Sequence, residues 1–210
     1  MIITRQGLDS LKLQFGSTTI AVNPVSKESS LKSVRFGADI VLESLNHPDF
    51  NGHEMMSHGD REPFVISGPG EYEIKDVVVR ATASVSHYGK SKKINTIYSV
   101  ILENMNVCFL GALDSTELNE EVKEVLDGID VLVVPIGGGG VLDAQDANKL
   151  SVKLEPKIII PSHYGEAGDK KALETFLKEE GNDKVSPIDK LTLKRKDLEG
   201  KEGEIVVLAS

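Results

Sequence analysis

The sequence predicts a layered α/β or α+β protein, and three observations point there. The first half alternates apolar and polar residues in steps of two, over β-branched runs parted by Gly, Pro, Asn or Asp. From Val107 onward, apolar runs alternate with stretches whose apolar residues fall three and four apart, as strand followed by helix requires. The 210 residues can bury a sizeable core and contain no low-complexity stretch or solenoid repeat, so a single domain over 1–210 without a linker is expected.

Taken in order, "LKLQFG" (11–16), "TTIAVNP" (18–24), "DIVLESL" (39–45), "FVISGPGEYEI" (64–74), "VVVRATASV" (77–85) and "NTIYSVILE" (95–103) read as strands. "VCFLGA" (107–112), "DVLVVPI" (130–136) and "KIIIPSH" (157–163) continue the series, with helices between and after them. Leu118, Val122, Val125 and Leu126 share one helical face. So do Ala144, Ala147, Leu150 and Leu154, with Asp143 as N-cap and Pro156 as stop. Ala172, Leu173, Phe176 and Leu177 make a third stripe, closed by Gly181. The tail, "KLTLKRKDL" (190–198) and "GEIVVLA" (203–209), returns to strand.

Composition narrows the function. A net charge of −9 without a window of clustered Lys and Arg argues against nucleic-acid binding. One cysteine, Cys108, lies in an apolar run, so it reads as buried and inert, and a reducing, cytoplasmic setting is expected. The opening "MIITRQGLDS" has no charged stretch leading into an apolar one, and no run approaches the ~20 apolar residues of a membrane helix, so neither export nor membrane insertion is expected.

Chemistry gathers where strands give way to loops. The tetrapeptide Ser-His-Tyr-Gly occurs twice, at 86–89 and 162–165, each time after a β-rich run. His47, in "LNHPDF", has the same context, with Asp49 two residues on. A single histidine at a strand end is usually a hydrogen-bonded surface residue. Three in one context, with a carboxylate, form a donor set of the type zinc prefers.

The segments "DIVLESLNHPDFNG", "SGPGEYEI", "NTIYSVILE", "CFLGALDS", "DVLVVPIGG" and "KIIIPSHYG", in this order, resemble the metallo-β-lactamase superfamily. Within it they are similar to the small Zn-dependent hydrolases related to ascorbate-6-phosphate lactonase. The resemblance covers nearly the whole chain. It implies a four-layer αββα sandwich, two sheets face to face with helices outside, and a site at its upper edge. The family's His-x-His-x-Asp-His motif falls on Leu45-Asn46-His47-Pro48-Asp49-Phe50, so its two outer histidines are missing. The later histidines fall on His87 and His163, and the bridging aspartate on Ala112. Near the N-terminus, Gly7-Leu8-Asp9-Ser10-Leu11 replaces a usual Gly-His/Gln-Ser-Cys-Phe, and Asn23 stands where an aspartate commonly precedes Pro24.

The resemblance thus leaves His47 and His87 for the first metal and Asp49 and His163 for the second, and a catalytic zinc normally has three protein ligands. Two readings follow. In the first, the site has been released from metal, Leu45 and Phe50 pack together, and the fold serves binding or assembly without a cofactor. In the second, His47, Asp49, His87 and His163 share a single Zn or Mn, with Asp49 acting on a small ester, lactone or phosphoester. Asp114, His53 and His58 are reserves; Asp114 with Ser115 is the expected cap of the following helix. The Gly-rich "PIGGGGV" (135–141) is expected beside the site, and "GKSKK" (89–93) could face an anionic substrate or simply be solvated. A small-molecule ligand and self-association are the open partners.

Overall fold

A computed structural model describes residues 1–182 and 185–209. Five strands open the chain: β1 (Ile2–Arg5), β2 (Leu11–Phe15), β3 (Thr18–Val22), β4 (Ile40–Leu42) and β5 (Phe64–Ile66). Six more follow: β6 (Gly70–Ile74), β7 (Val77–Ser86), β8 (Lys93–Leu102), β9 (Met105–Phe109), β10 (Val131–Pro135) and β11 (Ile158–Ser162). The tail adds β12 (Leu191–Thr192) to the first sheet and β13 (Glu204–Ile205) to the second. The sheets run β12-β1-β2-β3-β4-β5 and β13-β11-β10-β9-β8-β7-β6.

The inner faces pack on each other. Ile3, Leu13, Ile20 and Leu42 from the first sheet meet Val79, Tyr98, Val107 and Val133 from the second, in one cluster of buried apolar side chains. Each such side chain contributes about 1.5–3 kcal/mol by leaving water. The outer face of the second sheet carries the three helices, α1 (Glu120–Val125), α2 (Ala144–Leu154) and α3 (Ala172–Glu179), through Val122, Ala147, Leu150 and Phe176. Asp143 caps α2 as the sequence indicates, its side chain accepting from Asp146 N at 2.9 Å, and Glu155 ends that helix in a left-handed conformation ahead of Pro156.

The structure differs from expectation in four places. β1 was not foreseen, because "IITR" is too short to show a period and is held by pairing with β2 and β12. Residues 195–198 form a 3-10 turn where strand was expected. The cap of α1 is Asn119, which accepts from Val122 N at 2.8 Å; Asp114 is engaged elsewhere. The outermost layer on the first sheet is thin. Phe36, Ala38, Met55 and Met56, from loops and one 3-10 turn, cover Ala21 and Val41 there without an α-helix. The segment 24–37 has no helical stripe to offer.

Parallel pairing sets the position of the site. β9, β10 and β11 run parallel in the second sheet, as do β3 and β4 in the first. Parallel strands deliver their C-terminal ends to one edge, so the loops after β4, β9, β10 and β11 emerge together there.

Candidate functional site

The loops after β4, β10 and β11, with the one after β7, line an open cavity of about 420 Å³ whose walls include His47, Asp49, His87, Tyr88, Gly138, Gly139, Gly140 and His163. All four residues singled out by the sequence are present, together with the Gly-rich loop and Lys90 from the basic loop. A larger hollow of about 790 Å³, at the start of β11, contains no histidine.

Each of the four is held differently. After β4, Leu45 makes an isolated bridge to Asn95, and the chain turns through Phe50 N→His47 O at 2.8 Å. The turn directs Asp49 N to His47 Nδ1 at 3.2 Å, which makes Nδ1 the acceptor and leaves the proton on Nε2. Burial lowers the His47 pKa, the nearby Asp49 carboxylate opposing and Lys93 adding to it. Asp49 accepts from Tyr88 Oη at 2.7 Å through one oxygen and from Ser29 Oγ through the other.

His87 follows β7 and turns outward. Its backbone N and its Nδ1 both meet Asp114 Oδ2, at 2.8 and 2.7 Å, and its side chain is 61% exposed. Asp114, expected as a helix cap, is therefore the anchor of His87.

His163 lies at the opposite extreme, 1% exposed and in a left-handed backbone conformation, φ 55°. Its amide donates to Leu8 O at 2.8 Å, yet neither ring nitrogen has a hydrogen-bond partner. The ring stacks on Phe50, centroids 5.9 Å apart, and meets Tyr88 edge-on at 5.1 Å. Burial drops its pKa to about 4, so the imidazole is neutral near pH 7. Gly137 is obligatory beside it, since a Cβ there would lie 2.0 Å from His163 O.

Leu45, Phe50 and Ala112 pack together with Tyr88 and Val141 in a separate buried apolar cluster. Asn95, fully buried, ties this cluster to the sheet: its amide oxygen accepts from Ala112 N at 2.8 Å, and its NH₂ donates to Leu110 O at 2.9 Å. Beneath lies a polar pair, Asn23 Nδ2 donating to Asp9 Oδ2 at 2.6 Å, and burial pushes Asp9 up to about 7. His53 pairs with Glu43 at 2.8 Å and His58 sits in a turn with Arg61, so neither joins the cavity. Cys108 is buried and free, its thiol pushed up to about 12 by burial.

Metal binding can be tested on this geometry. Among the described residues, no group of three or more His, Cys, Asp or Glu side chains is placed to hold a metal ion. Asp49 is satisfied by two hydroxyls and His163 is covered by two rings, while Asp114 holds His87 by Nδ1, leaving Nε2 free on a side chain that is mostly exposed. The residues present do not fit a metal centre in this arrangement. Tyr88, Asp114, Ser29 and Asn95 were not foreseen in these roles; Tyr88 had a signal in the repeated tetrapeptide, and Asp114 was held as a reserve ligand and helix cap.

Among the described residues, no helix is long and apolar enough to cross a membrane. The family model described as "Beta-lactamase superfamily domain" matches residues 3–163. A protein from Listeria welshimeri named as a metal-dependent hydrolase is 24% identical over 197 residues, spanning 78% of this chain and 85% of its own. Among solved structures, a Thermotoga maritima protein assigned as a Zn-dependent hydrolase of the metallo-β-lactamase superfamily aligns with TM-score 0.76 and 28% identity, over 99% of this chain and 97% of its own. A metallo hydrolase from Ignicoccus hospitalis aligns with TM-score 0.61 and 19% identity, over 92% and 99%, a likeness of fold alone.

Proposed function

Because the chain belongs to the beta-lactamase superfamily, whose family model spans residues 3–163, we propose that it is a metallo-β-lactamase-fold protein that has given up two-metal hydrolysis and retains the upper-edge cavity for binding or assembly. The observation that carries this is the cluster of Leu45, Phe50, Ala112, Tyr88 and Val141. Three positions that the family fills with ligands hold apolar side chains packed on one another. A two-metal clamp needs ions roughly 3.5–4 Å apart with several ligands each, and these side chains supply none. The names of the relatives speak for a metal-dependent hydrolase ancestry.

A second reading has its own support. His47, Asp49, His87 and His163 line one cavity, and the unpartnered nitrogens of His163 would gain from a ligand. In that reading the four residues gather around a single Zn or Mn, and Asp49 serves an ester, lactone or phosphoester hydrolase. It requires Tyr88 to leave Asp49 and the rings over His163 to move aside, so it ranks second.

The wider reading is of a cytoplasmic, single-domain protein with a small-molecule ligand, no nucleic acid and no membrane, self-association being open. Calorimetric titration of chelator-treated protein with zinc and manganese, alongside His47→Ala, tests it. The first reading expects no stoichiometric heat with either metal. One ion per chain, abolished in His47→Ala, supports the second.

A further inference from the structure

Tyr88 touches three of the four candidate ligands, His47, Asp49 and His163. It follows β7 in a short 3-10 turn and is 9% exposed. Its ring meets His47 at 4.9 Å, Phe50 at 5.2 Å and His163 at 5.1 Å, each edge-on. Its hydroxyl donates to Asp49 Oδ2 at 2.7 Å. The Gly-rich loop closes over this turn so tightly that a Cβ on Gly140 would lie 2.9 Å from Tyr88 Cα.

Resting on the metal-free reading above, we infer that Tyr88 is a built-in plug: its hydroxyl satisfies Asp49 and its ring covers His163, so that the two residual ligands are held without a cation and hidden from one. An unpaired buried carboxylate is costly, and a cation is only one way to remove that cost. Here two neutral donors, Tyr88 and Ser29, take one oxygen each. A phenol is protonated near pH 7, so its hydroxyl is available as a donor to Asp49. The ring does the second task, closing with Phe50 over an imidazole that is otherwise unpartnered.

Two measurements test the plug. The first is thermal melting of wild type and Tyr88→Phe, each with and without EDTA. Phe keeps the ring and removes the donor, so Tm should fall by about 2–8 °C, equally in both buffers. The second is zinc titration of Leu45→His/Phe50→His/Ala112→Asp, with Tyr88 retained or with Tyr88→Ala added. Zinc should bind at least about ten-fold more tightly once Tyr88 is truncated, since the plug competes for the same ligands. An unchanged Tm in Tyr88→Phe, or equal zinc affinity in the two backgrounds, overturns the plug. If the multiple variants do not fold, the Tyr88→Phe melt decides alone. Stoichiometric zinc binding by wild type overturns both the plug and the reading beneath it, whereas failure in Tyr88→Phe with a metal-free wild type overturns the plug only.

Discussion

His163 and Asp9 are both buried away from their comfortable charge states, in opposite senses. His163 titrates near 4 instead of 6.5, so between those values the unfolded chain holds a proton that the folded one lacks, and stability rises with pH. Asp9 titrates near 7 instead of 3.8, so the folded chain holds the extra proton, and stability falls as pH rises. The two slopes oppose each other, each up to about 1.4 kcal/mol per pH unit. Urea melts between about pH 4.5 and 6.5 should show Asp9→Asn gaining stability with pH relative to wild type, and His163→Asn losing it. Asparagine is chosen at 163 because it tolerates the left-handed backbone there. At this scale the gathering of His47, Asp49, His87 and His163 at one cavity was legible, because each follows a strand end. The roles of Tyr88, Asp114, Ser29 and Asn95 were not, since each acts on partners far along the chain, through contacts that exist only after folding.

Helix α2 shows what local sequence can determine. Its apolar stripe, its Asp143 cap and its stop at Pro156 are all encoded within the segment, and all appear in the structure. Asp143→Ala leaves one orphan amide unsatisfied and should cost about 1 kcal/mol, a fall in Tm of about 2–4 °C. Gly111, at the turn after β9, makes the opposite point. Its φ of 59° and its distance of 2.4 Å from Ser44 Cβ, measured from the Cβ it lacks, bind it to a loop from the other sheet. Gly111→Ala should cost more than about 2 kcal/mol by denaturant melting, since strain and a clash act together. No pattern around residue 111 announces that. β1 escaped notice for a similar reason, being four residues whose identity as strand is conferred by β2 and β12.

For the whole molecule, the sandwich was legible because periodicity and the order of motifs agreed. Strands delivered in parallel to one edge explain why loops from both sheets meet there. What remained hidden was how the edge is closed. The family resemblance implies a ligand deficit at Leu45, Phe50 and Ala112, and the folded chain packs these residues with Tyr88 and Val141. On the metal-free reading proposed above, buried apolar contact stands in for coordination at this edge, so chelation should leave Tm unchanged. The most direct measurement is metal content by mass spectrometry of untagged protein after exposure to excess zinc and desalting. The account predicts well under one equivalent of zinc per chain, with no difference between wild type and His47→Ala. One equivalent in wild type, lost in His47→Ala, would contradict it.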